Sequence, residues 1–298
     1  MTNYTIFTDS TADLTDELVK KFNLEVIPMI FNVGSDSYKH YPDFRELDRK
    51  TFYQRVTNGE VSKTTAIAPH TYLEELTPFL EKGQDILYLG FSSGMSSTYQ
   101  SSLLAKNILQ EQFPDRKIIS IDSLCASAGL GLLCIMAARN KQANMSIEEN
   151  AKWCEENKLK INHWYTPSDL FYLKRGGRVS ATTAVIGSAL RIKPVMNMDT
   201  TGHLTSYCNA HGRKQSLKML VQEMKNRIEK PEEQTVIVAM ADCDEERTFL
   251  INKINEMCPV KEILNTYVGP IIGAHTGPSQ AEIFFYGQAR TDKSNNES

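Results

Sequence analysis

Three short polar runs, which lie far apart in the chain, contain the residue types that bind small anions. They occupy residues 92–99 (SSGMSSTY), 174–178 (KRGGR) and 273–278 (GAHTGP). The first offers hydroxyls and backbone N–H groups between a predicted strand and a predicted helix, the second brings guanidinium groups to a glycine turn, and the third places His275 between glycines. Hydroxyls, arginines and a histidine that converge in a fold make a site for a carboxylate or a phosphate. None of the runs matches a nucleophile elbow, a P-loop or a metal-binding motif.

Composition limits the classes of protein to which the chain can belong. Its 298 residues, 41% hydrophobic and 23% charged, suffice for two ordinary globular domains. The net charge of −3 gives no reason to expect a nucleic-acid partner. Six scattered cysteines without a C-x-x-C pair predict reduced thiols in a cytoplasmic protein. The N-terminus runs directly into a predicted strand, which is not typical of a signal peptide.

Strand-like and helix-like segments alternate in the first half of the chain. Strands are predicted at residues 4–8, 24–33, 86–91 and 117–121, and helices at 15–22, 47–57, 69–81, 97–112 and 126–140. This alternation predicts an α/β fold with a mostly parallel sheet covered on both faces. Ligands of such sheets sit beyond the carboxyl ends of the strands, which is where the 92–99 run falls.

The second half is a different mixture of elements. Strands are predicted at 160–165, 192–198, 204–208, 234–240, 262–268 and 282–286, with helices at 214–227 and 245–257 and a hairpin turn at 201–203. We place a domain boundary near residue 158, after a helix that Ser146 caps. The predicted organisation is an N-terminal α/β domain (1–158), a C-terminal α/β domain (159–290) and a disordered polar tail (291–298).

Taken together, these segments resemble the DegV family of bacterial fatty-acid-binding proteins over nearly the whole chain. Residues 7–14 (FTDSTADL) are similar to the opening loop of the family, and residues 63–65 (KTT) stand where the family has Thr-Ser-Gln. Further matching segments follow in the family's order at 92–100, 121–123, 172–178, 192–194 and 268–278. The agreement of seven segments in order makes a chance match improbable.

The resemblance implies a DegV fold of two α/β domains with an apolar lipid tunnel between them. It implies that Thr64 and one serine meet the carboxylate of a long-chain, palmitate-like fatty acid; we take the serine as Ser96, with Ser93 as the alternative. It places His275 and the two arginines of residues 174–178 at the same polar end. The full set of expected ligand-binding residues is Thr64, Thr65, Ser93, Ser96, Arg175, Arg178 and His275.

The resemblance also implies a role without catalysis, cofactor or metal. Related proteins present the bound acid to a fatty acid kinase subunit, which makes acyl phosphate in lipid transport or fatty acid metabolism. We expect a monomer that makes transient membrane contact. The alternative is a dihydroxyacetone-kinase-like substrate-binding subunit or enzyme in which His275 holds the substrate covalently. An aspartyl-phosphate enzyme built on Asp9 is disfavoured, because no second aspartate follows two residues later.

Overall fold

A computed structural model of the protein describes residues 3–168, 170–179 and 192–292. The strands are β1 (Tyr4–Asp9), β2 (Leu24–Ile27), β3 (Met29–Val33), β4 (Asp36–His40), β5 (Ser62–Thr65), β6 (Asp85–Gly90), β7 (Ile118–Asp122), β8 (Ile161–Thr166), β9 (Ile192–Met198), β10 (Leu204–His211), β11 (Thr235–Met240), β12 (Glu262–Tyr267) and β13 (Ala281–Tyr286). The α-helices are α1 (Asp16–Phe22), α2 (Arg49–Thr57), α3 (Pro69–Glu81), α4 (Thr98–Gln112), α5 (Ser127–Gln142), α6 (Ile147–Asn157), α7 (Phe171–Gly176), α8 (Arg213–Arg227), α9 (Asp244–Met257) and α10 (Pro270–Thr276).

The described strands form three sheets. A parallel sheet has the order β2-β1-β6-β7, and a small antiparallel sheet has the order β4-β3-β5. A six-stranded sheet, β10-β9-β8-β13-β11-β12, is antiparallel except where β11 meets β12. The first two sheets use strands up to Asp122 and the third uses strands from Ile161 onward. The predicted α/β class and the parallel first sheet are therefore confirmed, while the domain boundary near residue 158 stays a prediction.

The elements that sequence patterns missed are short or polar. The predicted strand 24–33 is divided at Pro28, so that β2 joins the parallel sheet and β3 joins the small antiparallel one. Proline lacks the N–H that a continuous ladder needs. Strands β4 (DSYKH) and β5 (SKTT) contain too few apolar residues to show an alternating pattern. Helices α7 and α10 are 6 and 7 residues long and contain glycine.

Helix α5 forms the centre of the molecule. It contacts β1 and β6 of the parallel sheet on one side and β8, β11 and β13 of the six-stranded sheet on the other. Its side chains are consequently buried almost all round, as Leu130, Leu133 and Ile135 show with 0% exposure. A second core, which includes Trp164 and Phe285, fills the opposite face of the six-stranded sheet beneath α8 and α9.

The C-terminal end of the described chain is anchored to the β9–β10 turn. Asp292 accepts hydrogen bonds from the backbone N–H and the hydroxyl of Thr200, so the first part of the predicted tail is anchored. Residues 293–298, which were predicted to be disordered, lie outside the described residues. Four of the six cysteines, Cys125, Cys134, Cys154 and Cys258, are buried thiols. Among the described residues, no helix is long and apolar enough to cross a bilayer.

A candidate ligand cavity

A cavity of about 130 Å³ opens beside α5 and is lined by residues from both halves of the chain. This volume is roughly ten times what one water molecule needs. Most of the wall is apolar, and its larger side chains include Met29, Phe91, Met198, Leu204, Ile272 and Phe284. Polar side chains occur in two groups, which differ in charge and in the elements that carry them.

The first group, here called the polar cluster, consists of Thr64, Ser96, Arg178 and His275, all of which line the cavity. The Oγ1 of Thr64 lies 2.8 Å from the Nε2 of His275, a hydrogen-bond distance between residues far apart in the sequence. Strand β5 carries Thr64, which is half-buried, whereas the next residue, Thr65, points to the opposite face and is exposed.

His275 lies in helix α10, although glycines flank it on both sides in the sequence. Pro270 occupies the first turn of this helix, where its missing N–H is harmless, and Gly277 ends it. The neighbouring helix α7 approaches so closely that a Cβ at Gly176 would lie 2.5 Å from the Nδ1 of His275. The first glycine of the KRGGR run is therefore needed to make room for the histidine ring.

Burial determines the charge of His275. Desolvation lowers the pKa of His275 to about 4, and the guanidinium groups of Arg178 and Arg175 act in the same direction. The imidazole is therefore neutral at pH 7 and carries one N–H. The neutral imidazole and the Thr64 hydroxyl have two hydrogens between them and use one in their mutual bond. When Nε2 carries the imidazole hydrogen and donates it to Thr64, the hydroxyl hydrogen of Thr64 is available to a ligand oxygen.

Ser96 stands just before helix α4, and its hydroxyl oxygen accepts a bond from the backbone N–H of Thr98. Its Oγ lies 2.8 Å from the Oγ1 of Thr98. When Thr98 donates in that pair, the Ser96 hydroxyl hydrogen is free to face the cavity. The N–H groups in the first turn of α4 add a partial positive charge beside it.

The two arginines of the KRGGR run lie in different surroundings. Gly177 adopts a φ of +68°, which ends α7 and turns the chain, so that Arg178 lines the cavity. Arg175 is exposed in the last turn of α7, with its guanidinium 5.5 Å from the ring centre of Phe171 and 5.0 Å from that of Tyr172. Only Arg178 of this pair can contribute its charge directly to the cavity.

The structure thus brings together four of the seven residues expected to bind ligand and places three elsewhere. Ser93, Thr65 and Arg175 are absent from the described cavity wall. The backbone N–H of Ser93 donates to Asp122, and the neighbouring Ser92 hydroxyl donates to the carbonyl of Gly202 in the β9–β10 turn. Ser92 therefore holds this hairpin against the parallel sheet.

The second polar group of the wall was not predicted. Its members are Ser127, His163, Tyr165, Gln280 and Glu282. Tyr165 and His163 project from β8 on the same face as Glu282 from β13, because Tyr165 pairs directly with Glu282 in the ladder. A charged residue in the otherwise apolar strand AEIFFY was the sequence signal that could have revealed this group.

Ser127 joins two buried carboxyl groups. Its hydroxyl lies 2.7 Å from Oδ2 of Asp13 and 2.6 Å from Oε2 of Glu282. A serine hydroxyl has one hydrogen, so two such bonds require that one carboxyl group donates a proton of its own. Burial raises the pKa of Glu282 to about 7 and the pKa of Asp13 well above its ordinary value. The pair therefore holds a shared proton at neutral pH.

The DSTAD segment, residues 9–13, has a structural role. Asp9 is fully buried and accepts bonds from Tyr88 and from the backbone N–H groups of Thr11 and Phe91. The other oxygen of Asp13 accepts a bond from the N–H of Gly269. With these bonds made, neither carboxylate is free to act as a nucleophile. Within the described ranges, no group of three or more His, Cys, Asp or Glu side chains could hold a metal ion.

Comparison with known families settles the relationship that the sequence segments suggested. The DegV family model matches residues 3–288. The chain belongs to the DegV family. A DegV domain-containing protein of Clostridium perfringens is 42% identical over 290 residues, which cover 97% of this chain and 99% of the relative.

Solved DegV structures share the fold over nearly their full length. A DegV family protein from Thermus thermophilus, described as fatty-acid binding, superposes with a TM-score of 0.86 at 25% identity and covers 96% of this chain and 100% of that one. DegV from Bacillus subtilis, described as a fatty acid binding protein, gives a TM-score of 0.81 at 26% identity and covers 97% and 100%. The DegV fold predicted for this chain is thereby confirmed.

Proposed function

We propose that this protein binds a long-chain, palmitate-like fatty acid in the cavity, with the carboxylate at the polar cluster. The observation that carries the proposal is the composition of the wall: apolar side chains enclose most of the cavity, while Thr64, Ser96 and Arg178 offer two hydroxyls and a cation. These groups match a carboxylate, which accepts several hydrogen bonds and pairs with guanidinium. The fatty acids bound by the Thermus and Bacillus proteins support the same ligand class.

The charges on the wall favour one orientation of the ligand. Arg178 lies in the polar cluster, whereas Glu282, which Ser127 links to Asp13, lies in the second polar group. A ligand carboxylate beside Glu282 would meet a like charge or remove the shared proton, and either costs free energy in a buried setting. The carboxylate is therefore expected at Arg178, with the alkyl chain directed away from it.

The alkyl chain supplies most of the affinity in this proposal. About fourteen CH₂ groups at roughly 0.8 kcal/mol each give about 11 kcal/mol of transfer free energy. Association and ordering of the chain cost about 4–15 kcal/mol. Hydrogen bonds from the polar cluster, worth about 1.5–3 kcal/mol each to a charged group, then fix the register and orientation of the acid.

The proposed role is presentation of the bound carboxylate to a fatty acid kinase subunit, with no chemistry performed by this chain. The exposed ring of Phe171 and the guanidinium of Arg175 lie on α7, which packs beside the helix that carries His275. A kinase docked there would reach the carboxylate end of the ligand. We further propose that the protein works in the cytoplasm as a monomer, with transient membrane contact when it loads its ligand.

His275 motivates the second candidate function, a dihydroxyacetone-kinase-like subunit. Its Nδ1 is buried without a hydrogen-bond partner among the described residues, and burial keeps the ring neutral and hence nucleophilic. That role requires a covalent adduct on the ring. The hydrogen bond between Nε2 and the Thr64 hydroxyl favours the carrier instead, because it fits a histidine that positions a threonine hydroxyl.

The decisive assay mixes the purified protein, palmitic acid and ATP, with and without a fatty acid kinase catalytic subunit. Acyl phosphate should form only when the kinase is present. His275→Ala should reduce this phosphorylation more than it reduces binding, because the alkyl chain supplies most of the affinity. Acyl phosphate formed without the kinase would contradict the carrier function, and an adduct on His275 in intact-mass measurements would favour the second candidate.

A further inference from the structure

Two buried polar atoms of the cavity wall have no use in binding a simple alkyl chain. They are the hydroxyl of Tyr165 and the amide oxygen of Gln280, which have no hydrogen-bond partner among the described residues. Tyr165 is 4% exposed and Gln280 is 1% exposed, and both line the cavity. A buried polar group without a partner is uncommon and destabilises the fold, so each such atom in a ligand cavity calls for an explanation.

The surrounding bonds hold both atoms in place. The amide nitrogen of Gln280 donates to Oε1 of Glu282 at 2.9 Å, which leaves its oxygen as the free end of the side chain. Glu282 is itself fixed by Ser127 and stands directly opposite Tyr165 in the β8–β13 ladder. The Tyr165 hydroxyl is a donor and the Gln280 oxygen is an acceptor, so the wall presents one of each.

This combination selects among the groups that a fatty acid could carry. A methylene would leave both atoms unpaired, and a keto oxygen could accept from Tyr165 but give nothing to Gln280. A second carboxylate would face Glu282 at close range. A hydroxyl both accepts and donates, so it alone of these groups satisfies the two atoms together.

We propose that Tyr165 and Gln280 form a second polar subsite for a hydroxyl on the alkyl chain, so that this protein selects hydroxy fatty acids. The inference rests on the proposed function, because it assumes that an acyl chain occupies the cavity. It adds a specificity that the polar cluster cannot provide, since every fatty acid has the same carboxylate.

The test is a competition among acids of one chain length. Delipidated protein is incubated with stearic acid and an equimolar series of hydroxystearic acids, whose hydroxyl positions run from the middle of the chain to its end. The bound acids are extracted and quantified by mass spectrometry. We expect one isomer, or a few adjacent ones, to be enriched at least about fivefold over stearic acid, as one net hydrogen bond predicts.

Variants assign the preference to the subsite. Tyr165→Phe should remove most of the enrichment while stearic acid still binds, and its ligand-free melting temperature should not fall, since the hydroxyl lost had no partner. Gln280→Met should also weaken the preference. The control Tyr286→Phe, on β13 but bonded to Asn157 outside the cavity wall, should retain it.

The possible failures are distinguishable. Stearic acid bound as tightly as every isomer would overturn the subsite and leave fatty-acid binding intact. Enrichment that survives in both Tyr165→Phe and Gln280→Met would also overturn it. If none of the acids binds, the proposed function itself fails, and this inference fails with it.

Discussion

Replacing Glu282 by glutamine should make the stability of the protein less dependent on pH. The folded protein raises the pKa of Glu282 from 4.5 to about 7 by burying it. Below pH 4.5 the carboxyl is protonated in both the folded and the unfolded states, so burial brings no ionisation penalty. As the pH rises toward 7, the unfolded chain releases this proton while the folded protein keeps it, and the free energy of unfolding falls.

The magnitude follows from the two pKa values. The interval from 4.5 to about 7 corresponds to about 3 kcal/mol, because one pKa unit is worth about 1.4 kcal/mol. Glutamine has no proton to release, and its amide can donate to Ser127, whose hydroxyl then donates to Asp13. The free energy of unfolding of Glu282→Gln should therefore rise relative to wild type by about 3 kcal/mol across this interval and stay level above it.

Urea denaturation of delipidated protein at a series of pH values measures this difference. Ligand must be removed because bound fatty acid would add its own stabilisation. Glu256→Gln is a suitable control, since Glu256 is exposed and its hydrogen bond from Lys253 lowers the pKa of the carboxyl. This control should show no gain as the pH rises. Parallel pH profiles for wild type and Glu282→Gln would refute the shared proton in the cavity wall.

Two further predictions concern the polar cluster and its surroundings. Thr64→Val and Ser96→Ala should each weaken palmitic acid binding about tenfold or more in calorimetric titration without unfolding the protein, because each removes a hydroxyl from the carboxylate; wild-type affinity in both would place the carboxylate elsewhere. Arg178→Ala should weaken palmitic acid binding in the same titration. Arg175→Ala should preserve binding and lower the rate of kinase-dependent phosphorylation. Equal loss of affinity in the two variants would contradict the separate positions of these arginines.

Much of the fold was predictable because the apolar residues of long helices and buried strands form recognisable patterns in the sequence. Helix α3 and strand β9 begin and end at the predicted residues, and the β9–β10 hairpin turns where Gly202 predicts it. Strand β5 could not be found, since SKTT shows no apolar alternation and pairs only because β3 lies beside it. The sequence pattern therefore left Thr64 outside every predicted strand, although its pairing with β3 places it in one.

The candidate site was predictable only in part, because sequence does not distinguish the polar residues that line the cavity from those that stabilise the fold. The polar runs of the sequence contained Ser96, Arg178 and His275, the family resemblance added Thr64, and four separate segments of the chain bring these residues to one cavity. The same segments also contained residues such as Ser92, whose hydroxyl fixes the hairpin and does not line the cavity. Three members of the second polar group, His163, Tyr165 and Glu282, lie in β8 and β13, and only the strand register places these three on one face.

A crystal structure of the protein grown with palmitic acid would show where the carboxylate binds. We expect electron density for one acid per chain in the cavity beside α5. One carboxylate oxygen should lie within hydrogen-bond distance of Thr64 Oγ1, with the alkyl chain along Met29, Met198 and Phe284. A carboxylate beside Glu282, or an acid bound outside this cavity, would contradict the proposed function.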